Sequence, residues 1–346
     1  MRDSLPAEKS PKAPRTTTAP RLCVLALAFL GSSPVGSPAS SQSPAPIHVE
    51  VNRVEVGVVV TDARGQFVQG LERSSFELLD NGQPQPITDF AADSEPARVL
   101  VLIESGPAVY LLESEHLAAA HHFLDGLSRD DRVAVARYSA SAELVQNFTP
   151  DKRVTASALE DLHFNLGFGS LNLAASLSQS LDWLRSIPGK KSVVLLSTGV
   201  DTSPPQRAES VLETLRTGGI RVLAVSLSGD LRSNPTKKGK AAASEKAILT
   251  EQQFAQADQT LQALAQASGG RAYFPRNSAE FGAAYAEIAQ IIRHEYSLAF
   301  APPAPDGQLH HIEVRLVSSD PAVAASQLAD RIDYRRAYVA PAHPAP

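Results

Sequence analysis

The chain of 346 residues holds one cysteine, one tryptophan and one methionine. Its only cysteine, Cys23, falls inside the apolar run LCVLALAFL at 22–30. With no second cysteine there is no intramolecular disulfide, so the fold must rest on packing. The run is far shorter than the roughly 20 residues a spanning helix needs. No second long apolar stretch follows it, which excludes a membrane-spanning helix. Positive charge is also scarce: 32 basic against 37 acidic residues, net −5. Such a surface argues against nucleic acid and anionic lipid as partners. Gly167 and Gly169 are followed by no Lys-Ser or Lys-Thr, so they form no nucleotide loop.

What is present begins with an export signal. Arg2, Lys9, Lys12, Arg15 and Arg21 precede the short apolar run, and a small, Pro/Ser-rich tract follows it, with cleavage expected after Ser37 or Ala39. Residues 1–45 therefore read as signal and linker, and the protein as secreted or periplasmic. Removing five basic and two acidic residues with the signal leaves 27 and 35, net −8.

The mature chain is organised around RVLVLIESGP at 98–107. An unbroken apolar run ending in turn residues reads as a strand buried on both faces, at the centre of a parallel sheet. Before it, 46–96 is strand-rich, with a hairpin signal at Asn81-Gly82. From 97 to 295 strands and helices alternate: helices over 114–127, 151–162, 170–187, 205–217, 254–267 and 279–294, strands over 131–138, 142–148, 191–197, 220–227 and 272–274. Residues 229–250 are polar, basic and small, and read as a mobile insertion. The tail, 296–341, returns to short β runs: EYSLAFAP, HHIEVRLVS and IDYRRAYVAP. The expected fold is α/β: a mostly parallel, Rossmann-like sheet with helices on both faces, flanked by a small β unit built from the N- and C-terminal segments.

The order of elements is similar to that of the von Willebrand factor A domain, and the local strings agree. LVLIESG resembles the family's first strand and D-x-S-G-S turn, GFGSLNLAASL at 167–177 its G-G-T-x-L-x-x-A-L, and VVLLSTGVDTS at 193–203 its V-x-L-L-S-D-G-x-D. The flanks look like those of von Willebrand A-related proteins of Acidobacteria, exported and mostly of unassigned role. The resemblance implies a Mg²⁺ or Mn²⁺ site at the top of the sheet, built from two carboxylates and several hydroxyls. Here the first Asp aligns with Ile103 and the last with Thr198; Ser105 is kept, the second Ser is Pro107, and Ser170 replaces a Thr. Glu104 and Asp201 are nearby, but strand alternation turns Glu104 away from position 103, and Asp201 is three residues along. The expectation is a degenerate site without metal or other cofactor.

Other constellations are weaker. Ser105 sits where a hydrolase nucleophile would, but ESGP lacks the G-x-S-x-G elbow. The pairs His121-His122 and His310-His311 point apart on a helix and on a strand, so neither chelates one metal. His294-Glu295 lacks the second histidine of a zinc-protease helix. Lys237, Lys238 and Lys240 read as a solvated loop, and Trp183 as core.

The sequence thus points to a non-catalytic binding protein, engaging an unidentified protein partner through top-face loops around Ile103, Glu104, Ser105, Pro107, Ser170, Thr198 and Asp201. The alternative is a divalent-metal-dependent adhesion protein with an unorthodox site using Glu104 and Asp201. Mass spectrometry of protein recovered from its native envelope should show a mature N-terminus between Val35 and Pro46. Cytoplasmic material beginning at Met1 would contradict the export reading.

Overall fold

The computed structural model describes residues 53–92, 95–106, 114–162, 170–202, 204–229, 251–303, 306–317 and 331–340. The apolar run at 22–30, the insertion expected at 229–250 (apart from Gly229), and Pro107 lie outside the described residues.

The run at 98–104 forms β5 (Ala97–Glu104), in the interior of a six-stranded sheet. Its neighbours are β6 (Arg132–Tyr138) and β8 (Lys190–Ser197), both parallel to it, with Leu100 in register between Ala134 and Val193. β9 (Arg221–Ser226) and β10 (Ala272–Tyr273) extend the parallel part beyond β8. β7 (Ala142–Thr149) closes the other edge as the antiparallel hairpin partner of β6.

Alternation along β5 sends successive side chains to opposite faces, and both faces are covered. Val99, Val101 and Ile103 pack with Phe123 and Leu124 of α1 (Ser114–Gly126), Leu159 of α2 (Lys152–Glu160), and Phe281, Tyr285 and Ile288 of α6 (Ser278–Arg293). Leu100 and Leu102 pack with Leu173, Leu177 and Leu181 of α3 (Leu173–Arg185), Val211 and Leu215 of α4 (Pro205–Gly218), and Leu261 and Leu264 of α5 (Glu251–Ala267). The helices start and stop on local chemistry. Asp151 caps α2 by accepting from the Arg153 amide, and Asn277 caps α6 by accepting from the Glu280 amide. Trp183, expected in the core, is only half-buried and stacks on Phe148 at 5.2 Å. It lies at the margin because β7, the edge strand, has no further strand to cover it.

The flanking β segments pair with each other. One antiparallel sheet has the order β13 (Arg331–Asp333), β1 (Val54–Thr61), β11 (Tyr296–Phe300), β4 (Asp89–Ala91). The other has β14 (Ala337–Val339), β12 (Leu309–Leu316), β2 (Phe76–Asp80), β3 (Gln83–Gln85). Each draws strands from both ends of the chain, and their facing side chains form a third core of Val54, Val56, Val58, Leu78, Leu298 and Ile312 among others. The β2–β3 hairpin turns at Asn81 (φ 48°) and Gly82 (φ 80°), the backbone that the Asn-Gly signal anticipates.

Two differences from the sequence expectation have physical causes. The helix expected from 170 begins at Leu173, because Leu171 and Asn172 spend their backbone groups on neighbouring loops. The run IDYRRAYVAP is two strands in two sheets, not one. Between them Arg335 turns inward and donates to the carbonyls of Arg216 and Glu55, a buried guanidinium whose pKa burial lowers to about 10.

The sandwich joins the α/β sheet at a buried ion pair. Arg221 Nε, at the start of β9, donates to Glu295 Oε1 at 2.7 Å, just before β11. A Cβ on Gly57 of β1 would fall 1.9 Å from that oxygen, so only glycine leaves room for the pair. Gly57→Ala should therefore destabilise the protein by about 3 kcal/mol or more, because it displaces one partner of a buried pair. Gly282→Ala, on α6 with open space around its Cβ position, should stabilise it by about 0.5–1 kcal/mol. Urea unfolding of the two variants checks both; equal midpoints would contradict the role of Gly57.

Candidate functional site

The carboxyl ends of β5, β6 and β8 meet at the top of the sheet, where open α/β sheets take their ligands. Glu104 ends β5 and is fully buried on the face opposite Ile103. Its Oε2 collects donors from three directions: Tyr138 Oη at 3.2 Å, Ser197 Oγ at 3.1 Å, and the Thr198 amide and hydroxyl at 2.7 and 2.8 Å. Tyr138 Oη and Ser197 Oγ are themselves 2.7 Å apart. Ser197 Oγ also accepts from the Gly199 amide at 2.8 Å. Gly199 has φ 79°, and a Cβ there would fall 2.4 Å from the Ala257 carbonyl, so this turn is closed to other residues.

Burial pushes the Glu104 carboxyl above its ordinary value, and the bonds from Thr198, Ser197 and Tyr138 restrain the rise. Burial and the Glu104 charge together push the Tyr138 phenol well up. Glu104 Oε1 is buried and has no hydrogen-bond partner among the described residues.

The second acid is spent differently. Asp201 Oδ2 accepts from the Ala174 amide at 2.8 Å, in the first turn of α3. It thus caps that helix from the loop after β8, a placement the helix dipole favours. Asn172, at the cap position in sequence, gives no side-chain cap and instead donates from Nδ2 to the Ala140 carbonyl. The Thr202 amide and hydroxyl both donate to the Leu171 carbonyl. The loops after β6, before α3 and after β8 are thereby tied into one surface.

The structure joins Glu104 to Thr198 and leaves Ile103 on the opposite face, and with Ser105 all four are interior side chains. Ser105 donates its amide to the Tyr138 carbonyl, continuing the strand geometry by one residue. Ser170 is exposed and Asp201 half-buried. Sequence reading missed Tyr138 and Ser197 as partners of Glu104, and missed the Ser226, Ser228 and Asp258 cluster at the end of β9. A polar residue closing an apolar strand was the available signal for all three strand-end residues. Among the described residues no three His, Cys, Asp or Glu side chains are grouped to hold a metal.

The histidine pairs separate as alternation requires. His310 is buried with Nδ1 at 2.8 Å from Asp80 Oδ1 and Nε2 at 3.2 Å from Asp306 Oδ2, while His311 is exposed. Burial lowers the His310 pKa, but the two carboxylates outweigh it and hold it above its usual value.

The raised Glu104 pKa has a stability consequence with a definite sign. Its contribution is full below its ordinary value of 4.5 and is lost as pH rises through the folded-state value. Glu104→Gln keeps the shape and removes that titration. The melting temperature of the variant minus that of the native protein should rise from about pH 4 to about pH 8. A difference constant across that window would show that Glu104 titrates normally.

No family model matches the chain, and no curated protein matches it. Solved structures resemble it at low identity. An aerotolerance-related membrane protein from Bacteroides fragilis is 15% identical, with 57% of this chain and 98% of that one covered, at a TM-score of 0.43. BatB from Bacteroides thetaiotaomicron, described as a conserved hypothetical protein, is 14% identical over 57% and 97%, at 0.41. A von Willebrand factor type A protein from Catenulispora acidiphila is 14% identical over 84% and 75%, at 0.42. The architecture of this chain is mixed α/β: a mostly parallel six-stranded sheet flanked by helices and by small antiparallel sheets.

Proposed function

We propose that this is an exported, non-catalytic protein-binding protein that engages its partner through the top-face loops without metal. The observation that carries the reading is the fate of the two acids nearest the site. Glu104 Oε2 is held by Thr198 and by the Tyr138–Ser197 hydroxyl pair, and Asp201 caps α3. Ile103 offers no side-chain oxygen and Thr198 only a neutral one, where the resemblance places carboxylates. A hard divalent cation needs charged oxygens to offset its dehydration. What remains is a face of interlocked loops with neutral hydroxyls such as Ser170 at its surface, held in shape before any partner arrives. Rigid loops on a scaffold favour binding because little ordering entropy is lost.

One observation favours the alternative of metal-dependent adhesion: Glu104 Oε1 has no partner among the described residues. The two readings separate on metal. Saturation at 100 times the dissociation constant would stabilise the fold by about 2.7 kcal/mol. We expect no rise in melting temperature with Mg²⁺ or Mn²⁺ over a chelator control; a chelator-reversible rise abolished by Asp201→Ala would establish the alternative. Ser170→Arg should also abolish retention of envelope proteins by the immobilised protein, whereas Arg64→Ala, in the turn after β1, should not. Equal retention by both variants would remove the top face from the binding surface.

A further inference from the structure

A recess opens away from the top-face loops. It is a cleft of about 480 Å³ between the outer edge of β9, the start of β10, the end of α5 and the segment that follows β13. This is within the size range of small-molecule sites.

Three arginines line the cleft, and Arg336 alone of them meets no carboxylate among the described residues. Arg221 is consumed by Glu295, and Arg271 by Asp333 and Glu287. Arg336 is different. Its guanidinium lies 4.0 Å over the Tyr334 ring and donates to Tyr334 Oη and the Ile332 carbonyl, and it meets no carboxylate among the described residues. A guanidinium laid on an aromatic face keeps its charge and its outer N–H groups in a fixed orientation. It is exposed, in a protein whose net charge is −5.

The remaining walls are of two kinds. Gln262 and Gln266, one helical turn apart on α5, present carboxamides that make no hydrogen bond among the described residues. Phe274, Ala272 and Ile332 supply apolar surface, and Phe274 is 37% exposed. A guanidinium without a carboxylate partner favours an anionic group on its ligand. Apolar walls select an organic body over an inorganic ion, and neutral amides beside the guanidinium offer donors to a carboxylate without adding charge.

We infer that this cleft binds a small organic monocarboxylate with an apolar or aromatic body, its carboxylate on Arg336 and its body against Phe274 and Ile332. The site is separate from the top-face loops and independent of the partner proposed for them. A free organic acid and the C-terminal residue of a polypeptide share this chemistry.

Calorimetric titration of the purified protein with 3-phenylpropanoate, 3-phenylpropanamide and 3-phenylpropylamine tests it. The carboxylate should bind saturably, and the amide and the amine at least about tenfold more weakly, the loss expected for one charge-assisted hydrogen bond. Arg336→Ala, an exposed change, should weaken the carboxylate by a similar factor with the melting temperature unchanged. Phe274→Ala should weaken the carboxylate and amide together. A tripeptide ending in a free Phe carboxylate, compared with the free acid, tells which source the cleft prefers. No saturable binding of the carboxylate or the tripeptide, equal affinity for carboxylate and amide, or an Arg336→Ala variant that folds and binds as before would each overturn the inference.

Discussion

Arg221 and Glu295 form the junction on which the two halves of the molecule depend. Both are nearly inaccessible, and their 2.7 Å contact sits where β9 of the central sheet meets β1 and β11 of the antiparallel sandwich. The groups around it are recruited to satisfy it. Arg221 also donates to the Gly269 carbonyl, and Lys190, itself buried, donates to the carbonyls of Glu295 and Ala92. A buried pair of this kind adds little to stability over an apolar substitute, but it demands good geometry and tolerates no missing partner. Its consequence is positional: β1 must pass with a glycine, and the strands from the two chain ends must meet at this register.

The sandwich that results is not a pair of loose flaps. β1 pairs with β11 from Val54↔Phe300 to Val58↔Tyr296, and then with β13 from Val59 to Thr61. A single N-terminal strand is therefore held by two C-terminal ones. Val54, Val56, Val58 and Val60 face the sandwich core, while Val59 turns to the core shared with α6. The same alternation that makes a half-buried strand makes β1 the wall between two cores.

The two ends of the central sheet differ in chemistry. At the carboxyl ends Glu104 is buried with Oε2 held by Thr198, and Asp201 caps α3 from an interlocked loop. At the outer edge of β9 Arg221 and Arg271 take Glu295, Asp333 and Glu287, and Arg336 meets no carboxylate among the described residues. Both follow from which ionisable groups found internal partners.

Much of the fold was legible in the residues. The apolar runs at 99–103, 193–196 and 222–225 specify buried strands, because only a sheet covered on both faces accepts unbroken apolar sequence. Asn81-Gly82 and Asp151 fix their turn and cap locally, since the backbone they require is their own. That Glu104 points the opposite way from Ile103 also followed from alternation alone. The sequence could not show that Tyr138, Ser197 and Thr198 converge on that acid, because they come from strands 34 to 94 residues away that meet only in register. Nor could it show that Asp201 caps a helix preceding it in the chain, that Gly57 makes way for Glu295, or that Arg336 meets no carboxylate among the described residues. Local pattern determines the periods and the turns, which are properties of neighbouring residues. Pairing of buried charges depends on strand order and register, and those exist only once the three cores have closed.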